Sequence, residues 1–280
     1  MNRLSIEDRV QILTVLSEGM GINAACRVTG KSKNTVLKLL ADVGRACALY
    51  QDHAMRNLTV KRIEVDEIWS FVGSKQRNAK TQAAWDAHHG DCYTFTAIDA
   101  DTKLMPCWLV GQRTNRCARE FMLDLAERVP HDIQLTTDGF TSYPEAVEAA
   151  FGRSVNYAIL NKKYAHEGHA VEAKRRYSPA EVIGTVKTVV NGSPDHKAIS
   201  TSYVERANLS MRMNMRRFTR LTNAFSKKIE NHMHAISFYF MVYNFVKIHS
   251  AVKCSPAMAA GVSSTLWDIR DIVLMAETME

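Results

Sequence analysis

The sequence predicts a mixed α/β protein: an all-α N-terminal module followed by an α/β layer whose mixed sheet is flanked by helices. Two observations carry this prediction. Apolar residues recur at helical spacing through residues 5–45, and near residue 61 the pattern changes to β-branched and aromatic runs. Strand-like and helix-like segments then follow in the order three strands, helix, strand, helix, which builds an α/β layer. A chain of 280 residues suits one small module and one medium domain. The chain divides into an N-terminal helical module at 1–55, an α/β domain at 56–250 with a loop-rich insertion at 152–200, and a C-terminal tail at 251–280.

In the first module, Ser5 caps a helix in which Ile6, Val10, Leu13 and Leu16 share one face. Gly19 and Gly21 end it, and a second short helix covers 23–28. Gly30 turns the chain, and Ser32 caps a third helix with Val36, Leu40 and Val43 facing inward. A short second helix, a tight turn and a following helix form a helix-turn-helix layout. Lys31, Lys33, Asn34, Thr35 and Lys38 crowd the start of the third helix, where backbone N–H groups already favour phosphate. The bland alternative is a three-helix bundle with a solvated lysine face. Residues 46–60 read as a linker continuing from the third helix.

Strands are expected over 61–72, 92–99 and 103–110, with Asp99 to Thr102 as a hairpin turn and Pro106 marking an edge or bulge. A helix from Thr114 to Arg128 leads to a fourth strand over 132–137, and a further helix starts at Pro144. The first three strands form an antiparallel meander, and the fourth returns parallel to the first. Residues 155–164 can supply a fifth strand. The polar stretch 166–194 reads as loop, followed by a long helix from Thr201 and an apolar helix near 232–247.

The longest apolar run, 235–246, falls short of the roughly 20 residues that span a bilayer, so no membrane partner is expected. No secretory signal pattern opens the chain. Six scattered cysteines without a CxxC pair suit reduced thiols in the cytoplasm rather than zinc or disulfides. A net charge of +7 favours a polyanionic partner.

Three acids stand out by context. Asp66 interrupts an apolar strand, where an ionised carboxylate needs compensation such as a metal ion. Asp138 follows the fourth strand, at the carboxyl end where sites form in open α/β sheets. Glu205 lies on the helix that closes the polar stretch. If the first and fourth strands are neighbours, the two aspartates meet, and a crossing helix adds the glutamate. Three such oxygen donors suit Mg²⁺ or Mn²⁺. A pair of these ions about 3.5–4 Å apart activates a nucleophile and stabilises a leaving oxygen on phosphorus.

The segments VDEIWSFVGSK, LTTDGFTSYP and YVERANLSMR resemble the three acidic motifs of insertion-sequence-one type transposases, within the wider DDE recombinase group. YNFVKIHSAVKCSPAMAAG also resembles a closing motif of bacterial transposases, through Asn244, His249, Pro256 and Ala259. The resemblance covers roughly residues 5–260. It implies an RNase H-like fold, two metal ions on Asp66, Asp138 and Glu205, and DNA binding by the N-terminal helices. Its implied partners are the terminal inverted repeats of a mobile element and target DNA, engaged by at least a dimer at the nucleoid. The chain departs from the group in lacking a zinc-ribbon-like cysteine cluster before the helices.

Arg212 follows Glu205 by two helical turns on one face, placing it to hold a phosphate, and Asn208 shares that face. Arg206, Arg212, Arg216, Arg217, Arg220, Lys227 and Lys228 form a basic stretch read as a DNA-tracking surface, which Lys162, Lys163, Lys174, Arg175 and Arg176 extend. Glu64 and Glu67 are expected to be solvated or salt-bridged, with Glu67 pointing away from Asp66. His166 and His169 are read as loop residues, His232 and His234 as helix-face residues, and Glu181 as a rival acid outside the motif. Two alternatives share these features: an RNase H-like nuclease without strand transfer, and a non-catalytic helix-turn-helix DNA-binding protein.

Overall fold

Ser5 Oγ accepts the Asp8 N–H at 3.0 Å and opens α1 (Ile6–Ser17). This computed structural model describes residues 4–78, 90–164, 182–219 and 222–279. Helix α2 (Ile22–Thr29) ends at Gly30, whose φ of 68° is left-handed. Ser32 Oγ accepts the Thr35 N–H at 3.2 Å and opens α3 (Lys33–Ala54). Residues 46–54, expected as linker, continue this helix. The cause is a buried stripe that runs on through Val43, Ala46 and Cys47 into Gln51 and packs on a later helix, α7 (Ile229–Met241). At Gly44 a Cβ would lie 2.3 Å from the His234 carbonyl oxygen, so the two helix backbones meet there.

The sheet contains β1 (Arg62–Val72), β2 (Gly90–Asp99), β3 (Trp108–Gly111), β4 (Gln134–Thr137), β5 (Asn156–Tyr164) and β6 (Val182–Asn191). Helices α4 (Asn115–Ala126) and α5 (Tyr143–Phe151) connect β3 to β4 and β4 to β5. Spatial order is β3-β2-β1-β4-β5-β6. The expected meander is present, β4 lies parallel to both β1 and β5, and β6 is antiparallel to β5. The third strand is shorter than expected. Pro106 lacks a donor, and Met105 takes its partners from Asn244, whose side chain accepts from Met105 N and donates to Met105 O, each at 3.0 Å.

The stretch 152–200, expected to be loop-rich, carries β5 and β6. The β-branched series Val182, Ile183, Val186, Val189 and Val190 outweighs the polar context in which it sits. Residues His166, His169, Lys174, Arg175, Arg176, Glu181 and Arg220 lie outside the described residues.

Helix α6 (Ser202–Asn214) lies against β1 and β2, and a 3₁₀ turn (Arg216–Phe218) leads toward α7. Met211 and Met215 are buried one turn apart while Met213 is exposed, which resolves their alternate spacing. A π-helical turn (Val242–Val246) extends α7. The segment 251–280, read as a tail, holds α8 (Pro256–Ala259) and α9 (Ile269–Thr278). Helix α9 packs on α1 and α3 and pairs Glu277 with Arg9 at 2.6 Å. A mixed six-stranded sheet flanked by helices is consistent with the RNase H-like expectation. All six cysteines are free. Among the described residues no helix is long and apolar enough to cross a membrane.

Candidate active site

The site forms where β4 stops. Strands β1 and β4 pair from Arg62↔Gln134 to Val65↔Thr137, and β4 goes no further. Strand β1 runs on to Val72 with β2 on its other side. Asp66 and Glu67 are therefore the first residues of β1 beyond its β4 partner, and Asp138 is the first residue after β4. One carboxylate oxygen from each of Asp66, Glu67 and Asp138 lies within 4.8 Å of the others. Successive strand residues point to opposite faces, which is why Glu67 was expected to face away. With no strand beside them on the β4 side, both side chains reach Asp138 around that open edge of β1. Glu67 is salt-bridged to Arg113, one of the two expected states, and is not solvated, its side chain being 3% exposed.

Asp138 is held by the Phe140 N–H, which donates to its Oδ1 at 3.0 Å. A Cβ at Gly139 would lie 2.0 Å from Oδ1 of the exposed Asn161 side chain on β5, which would have to turn aside. Asn208 Nδ2 donates to Asp66 Oδ2 at 2.9 Å, and the Thr96 hydroxyl donates to Asn208 Oδ1 at 3.2 Å, fixing the amide. Asn208 thus orients the Asp66 carboxylate.

Burial and then the Asp138 charge push Asp66 up to about 6 and Glu67 up to about 7. Burial also raises Asp138. Three crowded carboxylates that resist ionisation are a natural seat for a cation. Two buried polar groups on the α5 side, Glu67 and the Tyr143 hydroxyl, interact with each other, but Glu67 Oε1 and the hydroxyl make no hydrogen bond of full geometry among the described residues. Arg113, which the sequence reading passed over, lies across this side. Its Nε is 3.5 Å from Glu67 Oε2, its Nη2 is 3.7 Å from Asp138 Oδ2, and its guanidinium covers the Phe140 ring at 4.2 Å. Its one sequence signal is a lone cation just before the Thr114 cap of α4.

Glu205 sits in the first turn of α6, outside the tight group. Lys162 of β5 holds both of its oxygens, and the Thr201 hydroxyl donates to Oε1 at 2.7 Å. Its charge still contributes to raising Asp66 and Asp138. Glu64, expected to be solvated or salt-bridged, is instead 3% exposed. It accepts the N–H groups of Tyr203 (2.7 Å) and Val204 (3.1 Å), docking the N-terminus of α6 onto β1. The donor set is all carboxylate oxygen, without thiolate or imidazole, and fits Mg²⁺ or Mn²⁺ better than zinc.

The basic residues divide by their partners. Lys33 and Asn34 are exposed at the start of α3. Lys31 is paired with Asp8 at 2.7 Å, Thr35 shares a hydroxyl contact with Ser32, and Lys38 is paired with Asp42. Arg216 is exposed and Arg212 is half-buried. Arg217 turns inward, against its reading as a DNA contact. Its Nη1 donates to Ser226 Oγ and Asn231 O, both at 2.9 Å, and burial lowers it to about 10. His232 is also a core residue, bonded to Ser70 and Ser226. A cleft of about 800 Å³ separates the N-terminal helices from the α6–α7 region. Lys33, Arg206, Arg216, Lys227 and Lys247 line it, and no carboxylate does among the described residues.

No family model and no curated protein matches this chain. Among solved structures it is similar to a piggyBac transposase in a synaptic complex with hairpin DNA, at 10% identity and a TM-score of 0.45. The match covers 98% of this chain and 70% of that one.

Proposed function

We propose that this chain is a DDE-type DNA transposase of the insertion-sequence-one kind, with an RNase H-like catalytic domain and an N-terminal helix-turn-helix in α2 and α3. The observation that carries the reading is the meeting of Asp66 and Asp138 at the carboxyl end of β4, where the charge of Glu205 on α6 also acts. Asp66, Asp138 and Glu205 would hold two Mg²⁺ or Mn²⁺ ions. When bound, such a pair supplies activation of an attacking oxygen and stabilisation of a leaving one at phosphorus.

The chain's own residues do the positioning. Asn208 and Thr96 fix the Asp66 carboxylate, and Glu64 fixes the helix that carries Glu205. Lys162 neutralises Glu205 and must release it for the site to load. Arg212 and the exposed Arg216 contact the phosphate backbone, and Lys33 and Asn34 lead α3 onto the terminal inverted repeats. The acid-free cleft between them gives the DNA a path. Water first attacks a phosphodiester phosphorus and displaces a 3′-hydroxyl, and that hydroxyl then attacks a target phosphorus in line, displacing the target strand's own 3′-oxygen. Two ends must be joined to one target, so at least a dimer assembles on double-stranded DNA.

The test uses the full chain, Mg²⁺, and duplexes taken from the DNA flanking the gene, with pre-cut 3′-hydroxyl ends. Joined products that vanish in Asp66→Asn and Asp138→Asn are expected. Cleavage without joining would replace the reading with that of a nuclease. DNA binding unaffected by Asp66→Asn and without any cleavage would leave a non-catalytic binding protein.

A further inference from the structure

We infer that Glu67 is a further metal-holding carboxylate of this site, sharing one divalent cation with Asp66 and Asp138. This deepens the two-ion reading above and rests on it. Three observations lead here. The first is reach: the three carboxylates contribute oxygens within 4.8 Å of one another, because β4 ends at Thr137 and leaves the edge of β1 open. Ligands about 2.1 Å from one octahedral Mg²⁺ lie about 3.0 Å apart when adjacent and about 4.2 Å when opposite, so loading draws the cluster in by at most about 2 Å.

The second is the orphaned oxygen. Glu67 Oε1 is buried on a side chain that is 3% exposed, and among the described residues beside it stands only the Tyr143 hydroxyl, without a hydrogen bond of full geometry. A buried acceptor left unsatisfied is costly, and a cation is the partner that such an acceptor lacks. The third is charge. Arg113 reaches only Glu67 Oε2 and shares itself with Asp138, while Lys162 is engaged by Glu205. Three carboxylates against one guanidinium leave two negative charges, which one divalent ion neutralises. Arg113 and the neutral Tyr143 hydroxyl together leave that charge uncompensated.

Titration of the full chain with Mn²⁺, followed by electron paramagnetic resonance of the free ion and by the rise in melting temperature, tests this without any DNA reaction. Wild type should bind Mn²⁺, and Asp66→Asn should lose it. Glu67→Gln should bind at least about tenfold more weakly, lose most of the Mn²⁺-induced thermal rise, and melt no lower than wild type without metal. Arg113→Met should bind Mn²⁺ as well as wild type or better. Should Glu67→Gln fail to fold, Glu67→Asp decides in its place: it keeps the charge opposite Arg113 but shortens the reach, so weaker binding supports the inference and unchanged binding overturns it. If Glu67→Gln binds like wild type and melts lower, Glu67 is only a partner of Arg113 and the inference fails while the Asp66–Asp138 site stands. A wild-type chain that takes up no Mn²⁺ overturns the two-ion reading and this inference together.

Discussion

Asp66→Asn should make the metal-free protein more stable at pH 8, although it removes a residue of the site. In the fold, burial and the neighbouring Asp138 raise the Asp66 carboxyl from an ordinary 3.8 to about 6. The unfolded chain therefore ionises this group first as pH rises. Its stabilising share is fully present below pH 3.8 and is lost through about pH 6. At pH 8 the full difference corresponds to roughly 3 kcal/mol. Partial solvent access and the loss of the charged hydrogen bond from Asn208 reduce the gain to about 1–2 kcal/mol. In a chain of this size that is a rise in melting temperature of about 2–8 °C. Urea and thermal melts of both proteins with chelator, at pH 5 and pH 8, measure it. A variant no more stable than wild type at pH 8, or an advantage that does not shrink toward pH 5, would refute the account of Asp66 as a strained carboxylate.

Three further outcomes follow from packing and charge. Gly44→Ala gains helix propensity of about 1 kcal/mol but drives a Cβ into the α7 backbone. A net loss of roughly 1–3 kcal/mol is expected in urea unfolding, and an unchanged midpoint would mean α3 and α7 are less closely docked. Asn244→Ala strips both backbone groups of Met105 of their partners and should cost about 2–4 kcal/mol in the same assay. Arg216→Ala should leave the melting temperature alone and lower the salt slope of DNA binding by about one phosphate. Arg217→Ala should lower the melting temperature instead, because its guanidinium ties Ser226 to Asn231.

What was legible in the sequence was mostly local. Ser5 and Ser32 announce their helices because a cap is a contact three residues long. Asp66 and Asp138 stood out because an acid inside or just past an apolar strand has few bland explanations. Glu67 was misplaced by a sound local rule. Strand alternation sends it away from Asp66, and only the short length of β4, a distant segment, lets both reach Asp138. Glu64 was missed for a similar reason, since its partners lie on α6. Arg217 looked like its neighbours in composition, and nothing nearby in the chain reveals that Ser226 and Asn231 turn it inward. The 165–181 stretch, with its lysines, arginines and histidines, lies outside the described residues.

The backbone contact at Gly44 has a mechanical consequence. Helix α3 is one unbroken rod of 22 residues, about 33 Å long. Its N-terminal end carries Lys33 and Asn34, and its far half is locked onto α7. On the proposed function, the end that reads the sequence and the body that cuts move together, so the rod acts as a ruler. Its length is close to one turn of B-form DNA, about 34 Å, and the spacing from recognised bases to the severed bond is then set by the protein rather than by a flexible tether.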